Sequence, residues 1–266
     1  MTVHQISFDH QRNAPKTLRL QRKTIAVTRW LRLPGKAAPP ECASIRYWDR
    51  PTRAAESRER SPVLFVHGYA GTEHIWGPLR AALADAGFGC LVALRYNAFR
   101  ADIHQVADWL VEQAQRSMDA GGTNAVHLVG HSLGGLVVRD AVQHRGLAGL
   151  ARTAVTIATP HTGAALARYV PGPAARQMRP GSTFLANLAD GRVDRRTKWI
   201  AINGGADRVV PEASSKLDIP AADVLTVRQP GAGHASVARH PGVVSYIAEA
   251  LLRAEQQAGR AFSLAA

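Results

Sequence analysis

Beyond position 61 the chain alternates between two hydrophobic patterns. Short, mostly apolar runs lie at 63–66, 91–94, 125–129, 154–158, 199–202 and 224–227. Runs of this length read as strands buried on both faces. The stretches between them carry apolar residues at helical spacing. In 103–118, Ile103, Val106, Ala107, Leu110, Val111 and Ala114 fall on one side, as they do on an amphipathic helix. Further helices are predicted over 76–86, 133–143 and 243–252. Strands alternating with helices predict a mostly parallel sheet covered on both faces. Right-handed crossovers then bring the loops after the strands to one edge. A site built there would draw on residues far apart in sequence.

Two regions depart from this rhythm. In the first sixty residues, Leu18/Leu20 and Ile25/Val27 alternate with polar residues, which predicts short strands, and 45–48 predicts another. The stretch 50–62 is polar and rich in turn formers, and reads as a loop. The second departure is 163–197, which holds Pro171, Gly172, Pro173, Pro180 and Gly181, with Phe184, Leu185 and Leu188 towards its end. It is too long for an ordinary connection and is expected to form a lid or binding element. The domain reading is therefore a basic extension over 1–60, including the first strands of the sheet, and a main domain over 61–266.

Composition narrows the function classes. The chain has 266 residues, 46% of them hydrophobic, and a formal net charge of +13. That hydrophobic share excludes a wholly disordered chain, and no apolar run approaches the roughly 20 residues of a membrane span. Much of the positive surplus lies in residues 1–60, with thirteen Lys and Arg against five Asp and Glu. A solvated basic face is the plain explanation. Peripheral contact of this N-terminus with an anionic membrane is the functional one. No nucleic-acid-binding motif accompanies the charge, so nucleic acid is not expected. The polar N-terminus has no signal-peptide core, which points to a cytoplasmic protein, although its arginines permit a transit peptide. Cys42 and Cys90 stand outside any metal-binding spacing, and no cofactor is expected.

Chemistry concentrates in Gly130-His131-Ser132-Leu133-Gly134-Gly135. This is G-x-S-x-G between a predicted strand and a predicted helix, the context of a nucleophile elbow. The tight turn would lift the Ser132 hydroxyl above the sheet at a helix N-terminus, where developing negative charge is favoured. Serine needs a general base. Of eleven histidines, His234 in Gly-Ala-Gly-His-Ala follows the last predicted strand. His240, next to Pro241, reads as a turn into the final helix. His127 reads as packed in its strand, and His104 and His144 as solvated or capping. His131 is expected to support the elbow. The base needs an acid to orient it. Asp207 directly follows the strand at 199–202, whereas Asp194, Glu212 and Asp218 do not. Oxyanion donors would be the backbone N–H groups of Leu133 and of Tyr69, in His67-Gly68-Tyr69.

With these residues in view, the chain resembles the lipase-like branch of the α/β-hydrolase fold over about 61–255. VHGYAGT is similar to the oxyanion loop, GHSLGG to the elbow, GGADRVVP to the acid loop and GAGHASV to the base loop. Thr159-Pro160-His161-Thr162-Gly163 and the stretch 179–185 are softer similarities. The resemblance implies an α/β-hydrolase fold with 163–197 as a cap. It also implies a Ser132–Asp207–His234 triad cleaving carboxylic esters through an acyl-enzyme. Expected substrate contacts are Tyr69, His161, Leu166, Tyr169, Phe184 and Leu185, and the expected substrate is a small-molecule or lipid ester. Relatives of this kind are often secreted, and some bind calcium, but no acidic cluster here demands it. The same triad would serve an acyltransferase or thioesterase. A non-catalytic binding protein on this scaffold is the reading from a different class.

Overall fold

A computed structural model describes residues 44–47, 60–191, 194–219 and 222–265. The strands expected near 18–27, most of the loop at 50–62, and Cys42 lie outside the described residues. Among these residues, seven strands form one sheet in the order β1-β3-β2-β4-β5-β6-β7. They are β1 (Ser44–Tyr47), β2 (Val63–Val66), β3 (Leu91–Arg95), β4 (Val126–His131), β5 (Ala151–Ile157), β6 (Lys198–Gly204) and β7 (Asp223–Gln229). Of these seven, β1 runs antiparallel, pairing Ser44 with Arg95 and Tyr47 with Val92. It comes from the segment read as an N-terminal extension, so that segment contributes a strand to the sheet, at its edge among the described residues.

β2 and β3 are almost wholly apolar because both faces are covered. In β2, Leu64 and Val66 join one core cluster and Val63 and Phe65 the other. The first cluster lies under α2 (Ile103–Gly121) and α3 (Leu133–His144), and the second under α1 (Gly77–Asp85) and α7 (Pro241–Ala265). Each fully buried Val, Leu, Ile or Phe contributes about 1.5–3 kcal/mol. When both faces are apolar, burial does not choose the register. The crossovers and backbone pairing choose it, with Val63 opposite His127 and Leu91.

Local signals set both ends of α2. The Asp102 side chain caps α2 by accepting from His104 N–H, and left-handed Gly122 (φ 63°) ends it. α7 runs beyond its predicted span, to Ala265. A long-range anchor holds its distal half: the Glu255 carboxylate accepts from Ser61 N–H (3.1 Å), His127 Nε2–H (2.9 Å) and Arg152. Burial pushes the Glu255 carboxyl up, but the bond from His127 and the other donors outweigh it and hold the group ionised.

The stretch expected as a cap folds into short pieces. A 3-10 turn at Ala165–Arg168 is followed by α4 (Pro173–Gln177) and α5 (Thr183–Ala189). Proline limits helix length here. Ser182 accepts from Leu185 N–H to start α5, and Arg139 of α3 donates to the Leu188 carbonyl near its end (2.9 Å). A short α6 (Glu212–Ser215) follows β6. No helix among the described residues is long and apolar enough to cross a membrane.

Candidate active site

The strand order reverses between β2 and β4, and open α/β sheets form a crevice at such a point. Ser132 follows β4 there, with φ 54° and ψ −120°. A non-glycine residue so placed stores about 1–3 kcal/mol. Its surroundings hold it: Ser132 N–H donates to Ile157 O (2.8 Å), and Gly135 N–H to Ser132 O (3.0 Å). Gly134 lets the helix press on β2, since a Cβ there would lie 2.0 Å from Val66 O. Gly68 does the same for the loop after β2, where a Cβ would lie 2.9 Å from Ser132 Cβ.

Three side chains converge at this turn. His234 Nε2 lies 3.0 Å from Ser132 Oγ, and His234 Nδ1 lies 2.8 Å from Asp207 Oδ2. With Nδ1–H donated to the carboxylate, Nε2 is free to accept the serine proton. The other Asp207 oxygen accepts from Val209 N–H (2.8 Å) and Val210 N–H (2.9 Å), which fixes the carboxylate. The rival groups are engaged elsewhere. Asp194 accepts from Thr197 and Gly149, Glu212 accepts from Arg228, and His240 Nδ1 accepts from Gly242 N–H.

His131 does more than brace the elbow. Its Nε2–H donates to the backbone carbonyl of His234 (2.8 Å), tying the end of β4 to the loop after β7. Burial, and then the neighbouring His234, push its pKa down to about 4. It is therefore neutral near pH 7.

The loop after β2 is held from below. His67 Nδ1–H donates to Gly68 O (2.9 Å), and Tyr96 O–H donates to His67 O (2.6 Å). The two rings stack at 4.3 Å. Burial lowers the His67 pKa, so the ring keeps the neutral form this bond uses. Tyr96 was not legible as part of the site, because nothing in its spacing ties it to His67. Tyr69 follows, its ring edge-on to Phe99 at 4.7 Å and its hydroxyl donating to Pro171 O in the cap. Leu133 opens α3, and first-turn N–H groups have no partner within their own helix.

The six expected substrate contacts divide. Leu166 and Tyr169 are exposed, at 48% and 75%. Phe184 and Leu185 are buried in the core, Phe184 against the His104 ring at 5.1 Å. His161 is buried, with Nε2 3.1 Å from Thr156 Oγ1; burial, then Arg139, lowers its pKa well below the usual histidine value. Tyr69 is half-buried at the cap contact.

His104 and His144 are more than solvated or capping groups. Both donate Nδ1–H to the fully buried Asp140 carboxylate, at 2.8 and 3.1 Å, beside Arg145 Nε at 3.3 Å. This cluster borders a recess of about 510 Å³ that does not include Ser132. Among the described residues, no group of three or more His, Cys, Asp or Glu is arranged to hold a metal ion.

Residues 63–195 match the family described as "Alpha/beta hydrolase family", and the chain belongs to it. Triacylglycerol lipases of Pseudarthrobacter phenanthrenivorans and Burkholderia plantarii are each 32% identical to it over 121 residues. That stretch is 42% of this chain and 36% and 32% of theirs, so the match spans about a third of the length of those curated relatives. The mature form of a Bacillus licheniformis lipase superposes with a TM-score of 0.64 at 18% identity, covering 81% of this chain and 99% of that one. A monoacylglycerol lipase of Paleococcus ferrophilus gives 0.57 at 16% identity, covering 80% and 99%. At these identities the structural likeness is one of fold.

Proposed function

We propose that this chain is a serine hydrolase of the lipase and esterase kind, cleaving carboxylic esters through an acyl-enzyme on Ser132. The observation that carries the reading is the unbroken chain Ser132 Oγ to His234 Nε2 to Asp207, with links of 3.0 and 2.8 Å. Both lie within the reach that proton transfer requires. In the proposed reaction Ser132 attacks the ester carbonyl while His234 takes its proton. Asp207 keeps the imidazole in the right tautomer and stabilises the imidazolium. The N–H groups of Tyr69 and Leu133 receive the oxyanion. His234 then protonates the leaving alcohol, and a water it activates releases the acid.

The partial lipase matches support an ester as substrate. The test is turnover of p-nitrophenyl esters of graded chain length by the parent and by Ser132→Ala. Turnover by the parent with loss in the variant supports the reading. A parent without turnover, or an undiminished Ser132→Ala, overturns it.

A further inference from the structure

The rim above Ser132 pairs exposed apolar side chains with cations that form no ion pair among the described residues. Phe99 (50% exposed), Leu166, Tyr169 and Val209 (40%) come from the loops after β3, β5 and β6. All three loops leave the same edge of the sheet. The Tyr69 hydroxyl, on the candidate oxyanion loop, reaches Pro171 in this rim, so the face lies directly over the site. Residues 161–189 contain Arg168, Arg176 and Arg179 and no Asp or Glu. The Arg168 guanidinium lies over the Tyr169 ring at 5.2 Å and donates to Ala165 O (3.1 Å). Arg179 donates to Ala167 O (3.4 Å). Two of the three cations are thus held on the turn that presents Leu166, and backbone carbonyls, unlike carboxylates, leave their charge intact. Exposed Arg208 beside Val209 repeats the pairing on the loop that carries Asp207.

We propose that this rim docks the protein on an anionic lipid surface, and that the ester it cleaves is presented there. The inference rests on the hydrolase reading above and adds the setting of the substrate. Charge complementarity selects the occupant. Guanidinium groups bind phosphate oxygens in bidentate fashion, tyrosine settles at headgroup level, and leucine enters the acyl boundary. A neutral surface would use the apolar side chains and leave the arginines idle.

The test measures binding of the whole 266-residue chain, as Ser132→Ala, to phosphatidylcholine vesicles, alone and mixed equally with phosphatidylglycerol. Stronger binding to the mixed vesicles, weakening with added salt, is expected. Adding Arg168→Gln, Arg176→Gln and Arg179→Gln should weaken that binding about fivefold per arginine, roughly a hundredfold together. In the Ser132 background, the same three changes should leave turnover of a soluble short-chain ester unchanged, which also checks folding. Leu166→Trp should show blue-shifted emission on the mixed vesicles, independently of the arginine variants. Equal binding to both vesicles, an undiminished triple-arginine variant, or bound protein with no Leu166→Trp shift overturns the proposal. The last two results would move docking to another surface, such as the basic N-terminus. A parent that binds as expected but turns over no soluble ester would instead sink the hydrolase reading and leave the docking result intact.

Discussion

His131 Nε2–H donates to the backbone carbonyl of His234 across 2.8 Å, although the two residues are 103 positions apart. The residue before the candidate nucleophile therefore holds the loop that carries the candidate base. His131→Leu should leave KM nearly unchanged and lower kcat about 10–100-fold, because a displacement near 1 Å of a reacting group costs on that order. His131→Gln, which keeps an N–H donor, should recover most of the rate. Steady-state kinetics on a soluble ester checks both; a Leu variant with parental kcat would remove the positioning role.

Ser132→Ala and His234→Ala should each lower kcat by about 10⁶, and Asp207→Asn by about 10⁴. The Ser132→Ala/His234→Ala pair should be little worse than either single change, since the two residues work as one unit. Single-turnover measurements on an activated ester resolve these losses; additive effects would show that the residues act separately.

Acid should destabilise the fold before the carboxylates titrate. His131 is held near 4 by burial, then by His234, and burial also lowers His67, His127 and His161. A histidine depressed in the folded state binds protons more readily once unfolded. Its stability contribution is full above about pH 6.5 and is lost as pH falls through its folded value. For His131 the loss runs from about 6.5 down to about 4 and amounts to about 3 kcal/mol. Urea melts across this range should show stability falling with pH, with a shallower slope in His131→Leu. A flat profile would contradict the burial argument.

Gly134→Ala should destabilise the protein by at least about 2 kcal/mol or prevent folding, because the new Cβ would meet backbone at Val66 O, 2.0 Å away. Gly77→Ala is the control. Its backbone is right-handed helical and nothing lies within 4 Å of the added carbon. It should be neutral or stabilising by up to about 1 kcal/mol. Equilibrium unfolding of both variants gives the comparison.

The strand-and-helix alternation was legible because it reports local burial. Val63–Val66 and Ile103–Gly121 carry that signal within a few residues, and the G-x-S-x-G turn is local as well. The far half of α7 was not legible, since its hold on the body is Glu255 reaching His127 and Ser61 in distant segments. Phe184 and Leu185 look like pocket residues in a string of letters. Only packing shows them facing the core while Leu166 and Tyr169 face solvent.

Sequence alone determined the order of elements, the strained turn at Ser132 and a short roster of acids and bases on one edge of the sheet. It did so because periodicity and glycine spacing act over a few residues. Tertiary structure alone decided that His131 grips the loop carrying His234, and that Tyr96 braces His67. Those bonds depend on which strands lie side by side, and an apolar strand carries no record of its neighbour.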